Sequence, residues 1–189
     1  VTNHQLTFND IAIQTIDSHG ALKVIRKNEM HTPVYPNGTA ICEVEIDPQT
    51  GTRTVTRYST IDDVGRCINP LIVHGQTHGG IVQGAGQALF EHCFIDSESG
   101  QPLAGSLMDY GISRADDFPS FKTEIAEVLS PTNPLGIKAG GEGGTTPALA
   151  AIVNAVIDAM ADFGIEDIDM PVTPERIWKA IHTARMQQN

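Results

Sequence analysis

Basic residues are scarce in this sequence: 12 Lys and Arg stand against 23 Asp and Glu, a formal net charge of −11 over 189 residues. Phosphate contacts need clustered cations, so the balance argues against nucleic acid as a partner. Cysteine is scarcer still. Cys42, Cys67 and Cys93 lie about 25 residues apart, which suits neither a disulfide framework nor a CxxC metal or iron–sulfur motif. Free thiols in a reducing, cytoplasmic setting are the expectation. No apolar run reaches the roughly 18 residues of a membrane span. The opening "VTNHQLTFNDIAIQTI" lacks the basic and apolar regions of a signal peptide. Position 1 is Val rather than Met, which points to a processed chain, a fragment or a domain cut from something longer.

Several catalytic signatures are missing as well. Neither a GxxxxGK[ST] phosphate loop nor a GxSxG nucleophile turn occurs, so P-loop binding and serine hydrolysis have no support. His74 and His78 stand one helical turn apart without an HExxH glutamate between them, which leaves a metal site short of ligands. No repeat or low-complexity segment is present. The hydrophobic content of 40% is enough to bury a core, which argues against disorder.

Periodicity divides the chain. "QLTFNDIAIQTIDSHG" reads as a short amphipathic helix, with Thr7 or Asn9 near its cap and Gly20 beyond its end. "TAICEVEID" sets Ala40, Cys42, Val44 and Ile46 against Ile41, Glu43, Glu45 and Asp47, a half-buried strand. "PQTG" makes a turn, and "TRTVTRYSTIDDVG" returns as the hairpin partner. "NPLIVHGQTHGGIVQGAGQALFEH" lengthens the period to that of a helix started at Asn69–Pro70. "CFIDSESGQPLAGSL" resembles strand, turn and strand, and "SFKTEIAEVL" a further strand. A nearly apolar helix over Thr145–Met160 takes Thr145 or Thr146 as its N-cap. "PVTPERIWKAIHTARM" closes the chain as a helix started by Thr173–Pro174. This order predicts an α+β fold of antiparallel strands packed with helices.

The most informative stretch is "PLGIKAGGEGGTTPALAAIVNAVIDAM", where Glu142 is set among Gly136, Gly140, Gly141, Gly143 and Gly144. Bare backbone N–H groups ahead of a helix make a place for an anion, either the protein's own carboxylate or a bound phosphate. An exposed Glu in a tight turn is the plainer reading. A carboxylate kept ionised by Lys138 and the helix start, yet held from water, suits general-base work. The helix around "GGIVQGAGQAL" carries five glycines from Gly75 to Gly86, each costing about 1 kcal/mol relative to Ala. Something approaches that face closely: a packed neighbour, or a ligand to which Gln83 offers its amide. It is not a dinucleotide fingerprint, because its glycines lie inside a helical pattern instead of following a strand. Asp62–Asp63 and Asp116–Asp117 read as loop and cap residues.

Three ordered blocks resemble the C-terminal part of molybdenum hydroxylase large subunits, the group of xanthine dehydrogenase, aldehyde oxidase and aerobic carbon monoxide dehydrogenase. They are "IDDVGRCINPLIVHGQTHGGIVQGAGQALFE", "GSLMDYGISRADDFPSF" and "SPTNPLGIKAGGEGGTTPALAAIVNAVIDA". The resemblance covers essentially the whole chain. It implies one C-terminal molybdopterin-binding domain portion over residues 1–189, incomplete without another chain or an N-terminal remainder, since family large subunits run several times longer. It implies an oxidoreductase that hydroxylates an aldehyde, an N-heterocycle or a similar small substrate with water. Glu142 falls on the family's active-site base and Gln83 on the glutamine that approaches the molybdopterin-type molybdenum cofactor. Gly80, Gly84, Lys138, Gly140, Gly141 and Gly143 fall on the cofactor's surroundings, and the chain supplies no ligand to the metal itself. The implied partners are the remaining molybdenum-subunit segment, an iron–sulfur subunit, a flavin (FAD) subunit and a small-molecule substrate. Many members read GxKGxGE; this chain has Ala139 and Gly140 there, and Ala139 requires a backbone that avoids φ > 0. The alternative is a non-catalytic assembly or interaction domain derived from such an enzyme.

Overall fold

A computed structural model describes residues 5–19, 25–27, 29 and 31–188, which fall into two compact units, Val1–Thr32 and Pro33–Asn189. The first unit holds helix α1 (Phe8–His19). Thr7 caps it as predicted: its hydroxyl accepts the Asp10 N–H at 3.2 Å, and Asp10 Oδ2 accepts the Thr7 N–H at 2.9 Å. Gly20, predicted beyond the helix end, lies outside the described residues.

The second unit starts with the predicted hairpin of β1 (Asn37–Ile46) and β2 (Arg53–Asp63), paired antiparallel. Ala40, Cys42, Val44 and Ile46 face inward while Ile41, Glu43 and Glu45 are exposed, the alternation the sequence predicts. Helix α2 (Pro70–Leu89) follows, with Asn69 Oδ1 accepting the Ile72 N–H at its N-cap. The third strand, β3 (Lys122–Ala126), pairs with β2 in parallel, so the sheet of order β1-β2-β3 is mixed instead of wholly antiparallel. A parallel neighbour needs a long crossover, and α2 lies between β2 and β3 in the chain to supply it. The predicted strand–turn–strand near residue 100 shrinks to a single bridge, Ile95 to Pro102. Pro102 has no N–H to extend a ladder.

Helix α3 (Thr145–Ala159) packs against both α2 and β1. The core unites Tyr58 of β2, Ile81, Ala85 and Leu89 of α2, and Ala148, Ile152 and Val156 of α3 with Val172, Ile177 and Ile181 at the closing helix. That helix, α4 (Pro174–Gln188), starts as predicted at Thr173, whose carbonyl accepts the Ile177 N–H at 3.0 Å. Each buried Ile, Leu or Val contributes about 1.5–3 kcal/mol, which outweighs the poor intrinsic propensity of the glycine-rich α2. Among the described residues no helix is long and apolar enough to cross a membrane.

Candidate functional site

The site grows from the end of β2. Asp63 is buried there, and its carboxylate accepts from Lys138 Nζ at 2.5 Å, from the Gly65 N–H at 2.9 Å and from the Val128 N–H at 3.1 Å. Burial alone raises the pKa of Asp63, but these three donors and the lysine charge outweigh it and hold the group below its usual range. The Lys138 N–H also bonds the Val64 carbonyl at 2.8 Å. Gly65 sits at φ 65°, and a Cβ there would meet the Gly136 carbonyl oxygen at 2.2 Å. The glycine loop bearing Glu142 is thus stitched to the sheet. No described non-glycine residue has positive φ, so Ala139 is accommodated without strain.

Beyond this stitch lies a cavity of about 560 Å³. Its walls are the start of β1, Asp62 and Asp63 at the end of β2 with Val64 beyond it, Thr77 of α2, the Ala139–Gly143 loop and the first turn of α3. Glu142 lines it and is exposed, which differs from the predicted carboxylate held from water. The reason is local: its neighbours Gly140, Gly141, Gly143 and Gly144 carry no side chains to cover it. The Glu142 carbonyl accepts the N–H groups of Thr145 and Thr146, both at 3.1 Å. With those donors satisfied, Gly144 is the N-cap residue and neither threonine side chain caps α3, a second departure from the sequence reading.

Of the other predicted residues, Gly140, Gly141 and Gly143 line the cavity with Glu142. Lys138, predicted at the cofactor, is instead committed to Asp63. Gly80 and Gly84, also predicted there, are covered by the start of α3. A Cβ on Gly80 would lie 2.9 Å from the Thr145 nitrogen, and one on Gly84 would lie 2.5 Å from its carbonyl oxygen. Gln83 is exposed on the adjoining face of α2, with its Oε1 3.5 Å from the Thr145 hydroxyl. His74 and His78 converge on one hydroxyl, that of Thr123, at 2.8 and 3.1 Å. Asp117 caps a short turn by accepting the Arg114 N–H.

Two residues were missed by sequence reasoning. Gln76 Nε2 donates to the Gly141 carbonyl at 2.7 Å and so fixes the backbone next to Glu142. Asp62, read as a loop residue, is a buried wall of the cavity. The strand alternation through "YSTID" carried a signal for it, because it places Asp62 on the same inward face as Tyr58 and Thr60.

A family model described as molybdopterin cofactor-binding domain matches residues 2–119. The chain is 46% identical over 147 residues to the 6-hydroxypseudooxynicotine dehydrogenase complex subunit gamma of Paenarthrobacter nicotinovorans, covering 76% of this chain and 18% of that one. It is 37% identical to the carbon monoxide dehydrogenase large chain of Hydrogenophaga pseudoflava, over 78% of this chain and 18% of that one. The solved Cu,Mo-CO dehydrogenase in its carbon monoxide reduced state superposes with a TM-score of 0.84 at 30% identity, over 96% of this chain and 23% of that one. The chain therefore spans about a fifth of the length of the relatives it matches.

Proposed function

The chain belongs to the molybdopterin cofactor-binding domain family, in the molybdenum hydroxylase large subunits that its sequence resembles, and from that premise we propose that it forms the base-bearing side of a molybdenum active site. The enzyme so completed hydroxylates an aldehyde, an N-heterocycle or a similar small substrate with water, and Glu142 is its general base. The observation that carries this reading is the position of Glu142 on a cavity walled by bare backbone. Gly141 has nothing within 4 Å of a would-be Cβ, and Gly143 meets its first atom only at 3.8 Å. A cavity of about 560 Å³ falls in the range of roughly 300–1,000 Å³ typical of cofactor and ligand sites. The space fits a pterin-sized group, with the Gly140–Gly143 backbone as its contact; Gln83, exposed on the adjoining face of α2, does not line it.

The cofactor, when bound, supplies the oxygen-transfer and two-electron chemistry. The chain's own task is narrower. The Asp63–Lys138 pair and the Gln76–Gly141 bond fix the loop, so the backbone that carries Glu142 is held at one place on the cavity wall. There the Glu142 carboxylate takes the proton released as water oxygen is delivered to substrate, a role typically contributing 10²–10⁴-fold. The rest of the large subunit closes the exposed side of Glu142 and excludes water from it. Iron–sulfur and FAD-bearing subunits carry the electrons away. The relative named as a dehydrogenase complex subunit supports such an assembly. The thiols of Cys42, Cys67 and Cys93 are free, in keeping with a cytoplasmic setting.

The test is Glu142→Gln in the complete enzyme, with molybdenum and pterin content measured alongside turnover. A 10²–10⁴-fold loss of turnover at full cofactor content is expected. Unchanged turnover refutes the assignment.

A further inference from the structure

The Glu142 cavity contains a second carboxyl with no assigned task. Asp62 is only 6% exposed, yet among the described residues no cation pairs with it, because Lys138 is committed to its neighbour Asp63. Its two hydrogen bonds are both long. Thr60 Oγ1 donates to Oδ1 at 3.3 Å, and Thr77 Oγ1 donates to Oδ2 at 3.5 Å. An ionised carboxyl offers about four acceptor positions, and charge-assisted bonds to it run at about 2.5–2.9 Å. Asp63, one residue on, meets that standard with its lysine; Asp62 does not. Burial raises the Asp62 pKa and the two hydroxyls offset this only in part, which agrees with a carboxyl short of donors. The Gly38 backbone packs close against one side of this carboxyl, and the side toward Gly143 is left without a side chain. A Cβ on Gly38 would lie 2.6 Å from Oδ1, and one on Gly143 would lie 3.8 Å from it. The chain thus holds a buried acceptor open toward a ligand-sized space.

We propose that Asp62 accepts hydrogen bonds from the N–H edge of a nitrogen heterocycle bound in this cavity. The inference rests on the cavity being the active site. The donor chemistry is specific: carbon monoxide and simple aldehydes bring no N–H, so neither completes the hydrogen bonding of Asp62. Two occupants do bring one, a heterocyclic substrate and the pterin ring of the cofactor, and the experiment separates them.

The experiment uses the complete enzyme with Asp62→Asn, which keeps the shape and turns one acceptor oxygen into an NH₂ donor. The Thr60 and Thr77 hydroxyls rotate to serve either group, so the variant is expected to fold, and its melting temperature checks that. Binding of purine and of 9-methylpurine, which lacks the ring N–H, is measured by calorimetry, together with pterin and molybdenum content. A ten- to hundredfold loss of purine affinity, with 9-methylpurine unaffected, identifies the substrate as donor. A comparable fall in retained pterin identifies the cofactor. Unchanged purine affinity with unchanged pterin content overturns the proposal. Gly143→Ala carries the same test should Asp62→Asn unfold, because it leaves the carboxyl intact and sets a methyl against its open side. Glu142→Gln keeps the two readings apart. Lost turnover with purine affinity retained upholds the base whatever Asp62 does, and retained turnover overturns the base while leaving the binding result for Asp62 intact.

Discussion

Lys138 closes on Asp63 at 2.5 Å with each side chain only 10% exposed, joining the loop that bears Glu142 to the end of β2. Removing one member of a buried pair strands the other, at a typical cost of 3–5 kcal/mol. Asp63 keeps two backbone N–H donors, so the cost here belongs at the lower end. Lys138→Met is expected to reduce the unfolding free energy by about 3 kcal/mol in urea titration. A change below about 1 kcal/mol would mean that the pair does not clamp the loop.

The same pair sets a pH dependence. The folded pKa of Asp63 is depressed, because its donors outweigh burial. A depressed carboxyl contributes stability that is present above its unfolded value of about 3.9 and is lost as pH falls through the folded value. Stability is therefore expected to drop below about pH 4, and the drop is expected to be smaller in Lys138→Met. Chemical denaturation of both proteins from pH 6 downward checks it; parallel curves would count against the pair.

Asp62 predicts the opposite sign. Burial raises its folded pKa, so the folded state resists ionising it, and the penalty grows as pH rises from about 3.9 through the folded value. Without ligand, Asp62→Asn is expected to melt above the parent protein near neutral pH, with the gap closing in acid. Calorimetry at two pH values measures this. A gap of constant size would point to packing instead of charge.

The fold was legible where one periodicity held over many residues. The alternation of β1, the Asn69–Pro70 start of α2 and the Thr173 start of α4 all follow from local chemistry. The direction of β3 was not legible, because "KTEIA" alternates identically whether its partner runs parallel or antiparallel, and the choice is made by the α2 crossover. In the site, the glycine loop marked Glu142 by composition alone. The Lys138–Asp63 pair was not legible, because a lysine beside such a loop is equally suited to a ligand or to a carboxylate, and only the tertiary approach of β2 brings Asp63 to it. Asp62 was missed for a related reason. Adjacent Asp residues look like loop polarity unless the strand is carried through them, which puts one inside the cavity and the other under Lys138.

The glycines of α2 separate packing from open space, and so yield a paired prediction. A Cβ on Gly84 would lie 2.5 Å from the Thr145 carbonyl oxygen and 2.9 Å from the Ala148 Cβ, whereas one on Gly79 meets nothing within 4 Å. Backbone at 2.5 Å cannot yield without moving α3 away from α2, and overpacking of this kind costs typically 1–3 kcal/mol. Better helix propensity returns about 1 kcal/mol in each case. Gly79→Ala is therefore expected to stabilise the chain by up to about 1 kcal/mol, and Gly84→Ala to destabilise it by up to about 2 kcal/mol on balance. Thermal denaturation of the two variants side by side decides the matter. If both shift the melting temperature alike, Gly84 is not the contact that lets α3 sit close, and the loop bearing Glu142 owes its placement to the Asp63–Lys138 pair and the Gln76–Gly141 bond.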